Sequence, residues 1–417
     1  MPAPNEPGQL VAHLFRHEAG RMTSVLACTL GFDRLDLAED IVHDTMVQAL
    51  QSWPFQGIPD NPRAWLYRVA KNRALDVVRR ENRFRQIGAE ADYLHQQDAT
   101  EAMAQQLFFD EAVTDSQLRM LFAICHPAIA PESQLAMCLK ILCGLSVQEI
   151  ASAFLTSSDT ITKRIYRAKE KIRQDGIQLE VPTGTYLAPR LGAVLKSVYL
   201  LFNEGYNSSQ PEALIRQDLC EEAMRLTLLL TETPHTHTPA VDALMALMCF
   251  QAARFEARID EQGAIVLLPD QDRSRWNHLL IRKGHTYLNR SAQGNTPSDY
   301  HLEAGIAMLH SSAPSYAATN WPTVLHYYDL LLAYKPSPVV ALHRAVALAE
   351  VAGPAAAISE VTGLNGLDQT VYYHAVLGDL YERNAEPDAA RHHYQQALHL
   401  TSSLAEQKLL AQKLARL

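Results

Sequence analysis

An all-α protein is predicted by three observations. Apolar residues recur at three- and four-residue spacings along most of the chain, helix-capping residues and prolines punctuate those stretches, and a 33-residue self-similarity marks the last part. The 417 residues are enough for about two or three domains with real hydrophobic cores. Net charge is −9 with a pI near 6.0, so affinity for nucleic acid has to come from local patches and not from bulk charge. No apolar run reaches the roughly 18 to 20 residues that span a bilayer, and the N-terminus lacks a basic segment followed by an apolar one. A cytoplasmic protein with no membrane partner is expected.

Residues 9–30 have helical periodicity and stop at Gly31, a good residue for leaving a helix. Asp36 and Glu39 have the spacing of a capping box for a second helix running to about Ser52, ended by Trp53-Pro54. Val42, Met46, Ala49 and Trp53 form its apolar stripe, which leaves Glu39, Asp40, His43, Asp44 and Gln48 to solvent or to a partner. A turn-rich loop, Phe55 to Asp60, delivers the chain to Asn61, a plausible N-cap followed by Pro62 at the first helical position. In the helix that follows, Leu66, Val69, Ala70, Val77 and Phe84 fall on one side, and Trp65, Arg68, Asn72, Arg79 and Arg83 on the other. Between Asn61 and Arg85, eight cations (Arg63, Arg68, Lys71, Arg73, Arg79, Arg80, Arg83, Arg85) are opposed only by Asp76 and Glu81. Such a face suits phosphates and a stacked base, although a solvated face with Trp65 as an edge residue of the core has the same pattern. Arg73 points toward the apolar side, where an acidic partner would hold it.

No Lys or Arg occurs between Arg85 and Arg119 while acidic residues accumulate, which reads as an acidic linker over 88–114. Residues 115–178 read as short helices with helix-turn-helix grammar. Ser146 and Glu149 form a capping box, and Ser158 or Asp159 caps the next helix after a tight turn. In that helix Ile161, Ile165, Ala168 and Ile172 face inward, and Thr160, Lys163, Arg164, Arg167 and Lys171 project from the other side, the residue types that read bases and phosphates. A two-helix corner with no role on DNA is the alternative.

A second linker, 179–189, contains Pro182 and Pro189, and the character then changes to Ala-, Leu- and Tyr-rich helices over 190–417. There Gly378, Tyr381, Ala390, Tyr394 and Ala397 stand where Ala345, Leu348, Ala357, Val361 and Leu364 stand 33 residues earlier, a period and small-residue pattern that resemble tetratricopeptide helix pairs. Asn203, Glu204 and the group Asp270 to Arg273 read as capping and inter-helix hydrogen bonding, because no nucleophile, base and oxyanion donor can be assembled with them. The six cysteines are scattered and read as reduced core residues, and no Cys or carboxylate stands at ligand spacing from His235, His237, His392 or His393. No catalytic residue, metal or cofactor is expected.

Taken together, the first 178 residues resemble a bacterial RNA polymerase sigma factor of the extracytoplasmic function (ECF) class. Leu37-Ala-Glu-Asp-Ile-Val-His-Asp-Thr45 with Asn61-Pro-Arg-Ala-Trp-Leu-Tyr-Arg-Val-Ala-Lys-Asn-Arg-Ala-Leu-Asp76 is similar to sigma region 2. Gln148-Glu-Ile-Ala151 with Thr160-Ile-Thr-Lys-Arg-Ile-Tyr-Arg-Ala-Lys169 is similar to region 4. The remainder resembles the subgroup with a C-terminal tetratricopeptide-like extension, through Tyr199 to Tyr206, Asp270 to Trp276 and Pro336 to Val346.

The resemblance implies region 2 over 1–87 and region 4 over 115–178. It implies that core RNA polymerase, through its β′ clamp helices and β flap, and promoter DNA are partners, with Leu37, Glu39, Asp40, Asp44 and Gln48 docking on the polymerase. Asn61, Arg63, Trp65, Arg68, Lys71, Asn72, Arg79, Arg80 and Arg83 would engage the −10 element as it melts, and Ser158, Thr160, Lys163, Arg164, Arg167 and Lys171 the −35 duplex. The repeats over 190–417 would take a protein or ligand partner and modulate the sigma modules. The alternative is a helix-turn-helix regulator fused to a helical scaffold, which would bind duplex DNA without polymerase.

Overall fold

The computed structural model describes residues 7–85, 110–154, 156–208, 215–293 and 297–417. Among them regular structure is helical throughout, as expected: 18 α-helices and no strand, with a single antiparallel bridge between Ile259 and Ile265. The chain forms two compact units, Met1–Leu201 and Phe202–Leu417.

In the first unit α1 (Pro7–Leu30) is the hub, packing on α2 (Leu35–Gln56), α3 (Pro62–Arg85) and α4 (Asp110–Ile124). Gly31 leaves α1 at φ +103°, a conformation that favours glycine. The apolar stripe read from α2, Val42, Met46, Ala49 and Trp53, is buried, as are Leu66 and Ala70 of α3.

Two expectations for α2 need correction. It begins at Leu35 with Arg34 at the N-cap and no side-chain cap, so Asp36 lies inside the first turn and no capping box forms there. It also runs through Pro54 to Gln56, because a proline in the last turn gives up one helical bond, and Gly57 N–H closes the end on the Trp53 carbonyl at 3.0 Å. The linker expected over 88–114 lies outside the described residues as far as 109, and from Asp110 the chain is helical.

Shorter helices follow, over the stretch where a helix-turn-helix is expected. α5 (Pro131–Met137) continues into a π-helical turn, Cys138–Leu142, then α6 (Val147–Ala153) and α7 (Ser158–Asp175). The Ser146–Glu149 capping box is formed in both directions, with Ser146 N–H donating to Glu149 Oε2 at 2.8 Å and Glu149 N–H to Ser146 Oγ at 3.1 Å. The cap of α7 is Ser157, one residue before the expected Ser158 or Asp159, its hydroxyl accepting from Thr160 N–H at 3.2 Å. Ile161, Ile165, Ala168 and Ile172 are buried as predicted, and Gly176 ends the helix at φ +60°.

Gly20 of α1 lies directly against the π-helical turn: a Cβ there would sit 2.3 Å from the Leu142 carbonyl oxygen and 2.8 Å from that of Ile141. Backbone cannot swing aside as a flexible side chain does. Gly20→Ala gains about 1 kcal/mol of helix propensity but loses more to crowding, for a net loss of about 1 kcal/mol. Urea unfolding of the first unit measures it; a more stable Gly20→Ala variant would show that the turn yields freely.

The second unit holds the end of α8 (Leu187–Tyr206) and ten further helices: α9 (Gln217–Glu232), α10 (Pro239–Ala252), α11 (His278–Ser291), α12 (Asp299–Ser312), α13 (Trp321–Tyr334), α14 (Pro338–Ala352), α15 (Pro354–Thr362), α16 (Val371–Arg383), α17 (Pro387–Leu400) and α18 (Leu404–Arg416). Consecutive helices pack on one another, and α10 is buried almost all round. Small residues set the close approaches: Gly378 of α16 lies where a Cβ would stand 2.5 Å from the Tyr394 ring of α17, and Ala345, Ala357, Ala390 and Ala397 are fully buried. Asp272 and Arg273 do the work of capping and bridging foreseen for them. Asp272 accepts from Ser274 N–H at 2.9 Å, and Arg273 donates to the carbonyls of His310 at 2.7 Å and Ala313 at 2.8 Å. All six cysteines are free thiols.

Candidate nucleic-acid interface

Asn61 caps α3 as foreseen, its Oδ1 accepting from Ala64 N–H at 2.9 Å, and this fixes the rotation of the helix. Arg68, Asn72 and Arg80 are exposed and Lys71 is half-buried; among the described residues no carboxylate pairs with Arg68, Lys71 or Arg80. Arg79 reaches its own helix, 3.9 Å from Asp76. The side chains of Arg83 and Phe84 lie outside the described residues. Trp65 is half-buried, its ring edge-on to Trp53 at 5.5 Å, so it joins the cationic face to the core and does not stand free.

Arg63 departs from the group. Its guanidinium pairs at 3.2 Å with Glu18, a buried carboxylate on α1, and lies over the Tyr67 ring at 5.3 Å. Glu18 also accepts from the Tyr67 hydroxyl at 2.7 Å and pairs with Arg21 at 3.1 Å. Burial, reinforced by Glu18, pushes the Tyr67 phenol well above its usual range, so it remains a donor. Arg73 is held as foreseen, donating to Asp44 and to Gln48 of α2, each at 3.0 Å.

On α7, Lys163 and Arg167 are exposed and Arg164 is half-buried, and none of the three pairs with a carboxylate among the described residues. Thr160 shares its hydroxyl with Ser157 at 2.9 Å, and Lys171 pairs with Asp175 at 2.9 Å. Ser158, exposed, opens the helix.

Of the α2 group, Asp40 is exposed and Leu37 half-buried, Asp44 and Gln48 hold Arg73, and Glu39 is bound from within. Lys169 of α7 bridges Asp36 at 2.6 Å and Glu39 at 2.5 Å, and Arg173 pairs with Asp36. Burial works against the Lys169 charge, but Glu39 and Asp36 outweigh it and leave the ammonium above its usual pKa.

Three exposed apolar residues escaped the sequence reading: Leu50, Phe55 and Ile58, of which Phe55 is 90 % exposed. Phe55, in the last turn of α2, and Ile58, in the loop before α3, lie on either side of Gly57, and apolar residues at a helix end and turn with no core beneath them were the available signal. Exposed Tyr166, between Lys163 and Arg167, was missed likewise.

The first unit thus carries two cationic helix faces, on α3 and α7, with an apolar-edged loop beside the first. Residues 14–84 match the family model for sigma-70 region 2, and 161 residues are 29 % identical to the ECF RNA polymerase sigma factor SigE of Mycolicibacterium smegmatis, covering 38 % of this chain and 59 % of that one. Residues 14–84 belong to the sigma-70 region 2 family. A further similarity, 24 % over 147 residues, is to the probable ECF RNA polymerase sigma factor SigI of Mycobacterium tuberculosis, over 35 % of this chain and 49 % of the other. An uncharacterized protein of Rhizobium meliloti (strain 1021) is 36 % identical over 388 residues, 93 % of this chain and 91 % of its own length. Residues 190–292 match a family of unknown function (DUF6596). No solved structure matches the chain. No helix among the described residues is long and apolar enough to cross a membrane.

Proposed function

We propose that this chain is an alternative sigma factor of the ECF type, a non-enzymatic subunit that binds core RNA polymerase and directs it to promoters with −10 and −35 elements. The observation that carries the reading is the pair of cationic faces on α3 and α7, whose Arg68, Lys71, Arg80, Lys163, Arg164 and Arg167 have no carboxylate partner among the described residues of an acidic chain. Uncompensated cations on two helices suit two stretches of phosphate backbone. Arg68, Lys71, Asn72, Phe55 at the end of α2 and the loop after it would hold the −10 strand as it opens, where apolar and aromatic groups offset the loss of base stacking. The α7 face would read the −35 duplex in the major groove. The C-terminal unit, a tetratricopeptide-like array, would regulate the first.

Run-off transcription with purified core polymerase tests this, comparing the full chain with residues 1–201. Transcripts with either form support a sigma factor, and a difference between the two forms measures the regulation. Duplex binding without core, and no transcripts from either form, would instead mark a helix-turn-helix regulator.

Two variants extend the reading. Lys163→Ala/Arg167→Ala in the holoenzyme is expected to lower the dependence of log affinity on log salt by about 2, since each lost phosphate contact removes about 0.9; anisotropy on a −35 duplex between about 50 and 200 mM salt reads it, and an unchanged slope removes these residues from the interface. Lys169→Ala frees Glu39 while Arg173 still holds Asp36, and because such an ion pair is worth about 1 kcal/mol, core polymerase should bind about fivefold more tightly. Unchanged core affinity would mean that the α2 acids do not face the polymerase.

A further inference from the structure

The second unit encloses a cavity of about 780 Å3, the size range of small-molecule sites. Its first and last parts meet around it. The Asn207 side-chain amide donates to the Tyr372 hydroxyl, and Lys408 of α18 donates to the Gln262 carbonyl at 2.6 Å, so the helices from α12 to α18 curve round a shared interior. The walls are largely apolar and aromatic, with Leu267, Val346, Val376, Trp321, Tyr328 and Tyr372 contributing.

Most charges at the wall neutralise one another. Arg383 pairs with Glu350 at 2.8 Å, and Lys413 pairs with Asp379 at 3.0 Å and with Glu382 at 3.2 Å. Glu406 accepts from the Thr401 hydroxyl. Asp270 and Arg416, of opposite sign, are exposed.

Arg258 differs. Its guanidinium lies 3.8 Å above the Tyr206 ring and donates to the Tyr206 carbonyl, and among the described residues no carboxylate pairs with it. Burial lowers its pKa, the sign of a charge removed from bulk water without a counter-ion. A guanidinium has five N–H donors in a fork that matches a carboxylate or sulfonate with two parallel bonds. A half-buried cation without an anion is costly, and here it faces a space that could admit one.

We propose that this cavity is the binding site for a small organic monoanion with a flat apolar body, its anionic group held by Arg258 and its body against the aromatic wall. Inorganic phosphate would satisfy the guanidinium but leave the apolar volume to water. The binding chemistry is independent of the promoter reading, so a failure of one leaves the other standing.

The test uses the full chain and the fluorescent aromatic sulfonate 8-anilinonaphthalene-1-sulfonate. One saturable site is expected, displaced at least tenfold more readily by 2-naphthoate than by its uncharged relative 2-naphthalenemethanol. Ala375→Trp, which fills the cavity, should abolish saturable binding. Arg258→Met should lower affinity for the sulfonate at least tenfold and leave affinity for uncharged N-phenyl-1-naphthylamine unchanged. Arg258→Gln, which keeps a donor for the Tyr206 carbonyl, should show the same split if the methionine variant does not fold. Equal displacement by the acid and the alcohol, binding that survives Ala375→Trp, or a parallel loss of both fluorophores in the Arg258 variants would each overturn the proposal.

Discussion

Replacing Glu18 with alanine is expected to destabilise the first unit by about 3 kcal/mol, the largest effect of any single side chain considered for that unit. Glu18 is 6 % exposed and gathers Tyr67, Arg21 and Arg63 from two helices around one carboxylate. Without it the buried Tyr67 hydroxyl loses an acceptor at 2.7 Å, and two guanidinium groups lose their counter-charge, so the cost is that of stranded polar groups and not merely of one missing contact. Arg63 and Arg21 retain partial access to water, which keeps the loss at the lower end of the range for broken buried pairs. Glu18→Gln preserves an acceptor for Tyr67 and should lose about half as much. Urea unfolding of the full chain followed by tryptophan fluorescence gives both values, and a loss below about 1 kcal/mol for Glu18→Ala would show that water replaces the carboxylate.

Lowering the pH from 7 to 5 should remove about 2 kcal/mol of stability from the second unit, through His310. Burial, with Arg254 and Arg273 adding repulsion, pushes the His310 imidazole down to about 4 from an ordinary 6.5. The folded state therefore keeps His310 neutral while the unfolded chain takes up a proton below about 6.5. More protons on the unfolded state make stability rise with pH. The contribution is thus complete above the unfolded pKa and disappears as the pH falls from about 6.5 toward 4. His393, pushed down to about 4 by burial and by His374 and His392, acts in the same direction, but it is half-buried and its share is screened. His310→Phe keeps a ring against Trp321, 5.2 Å away, and should flatten the pH dependence. An equally steep profile in that variant would assign the titration to other groups.

Much of the first unit was legible because its signals are local. The Ser146–Glu149 box, the Asn61 cap, the inward row Ile161, Ile165, Ala168 and Ile172, and the stripe of Val42, Met46, Ala49 and Trp53 each need only the neighbouring few residues and a 100° step. The Asp36 box misled because the same two acids suit a cap and an ion pair, and spacing alone cannot choose between them.

By itself, the sequence determined that the chain is helical, which faces of its helices are apolar, and that cations concentrate on α3 and α7. Tertiary structure alone decided which of those cations remain uncompensated: Arg63 goes to Glu18, Arg73 to Asp44 and Lys169 to Glu39, leaving Arg68, Lys163 and Arg167 facing outward without an ion-pair partner among the described residues. The cavity around Arg258 likewise exists only once residues from 207 to 416 curve round one space. Helical periodicity states the direction in which a side chain points, whereas the charge that meets it comes from an element far away in the chain, and ion pairing is decided by distances of a few ångströms between such elements.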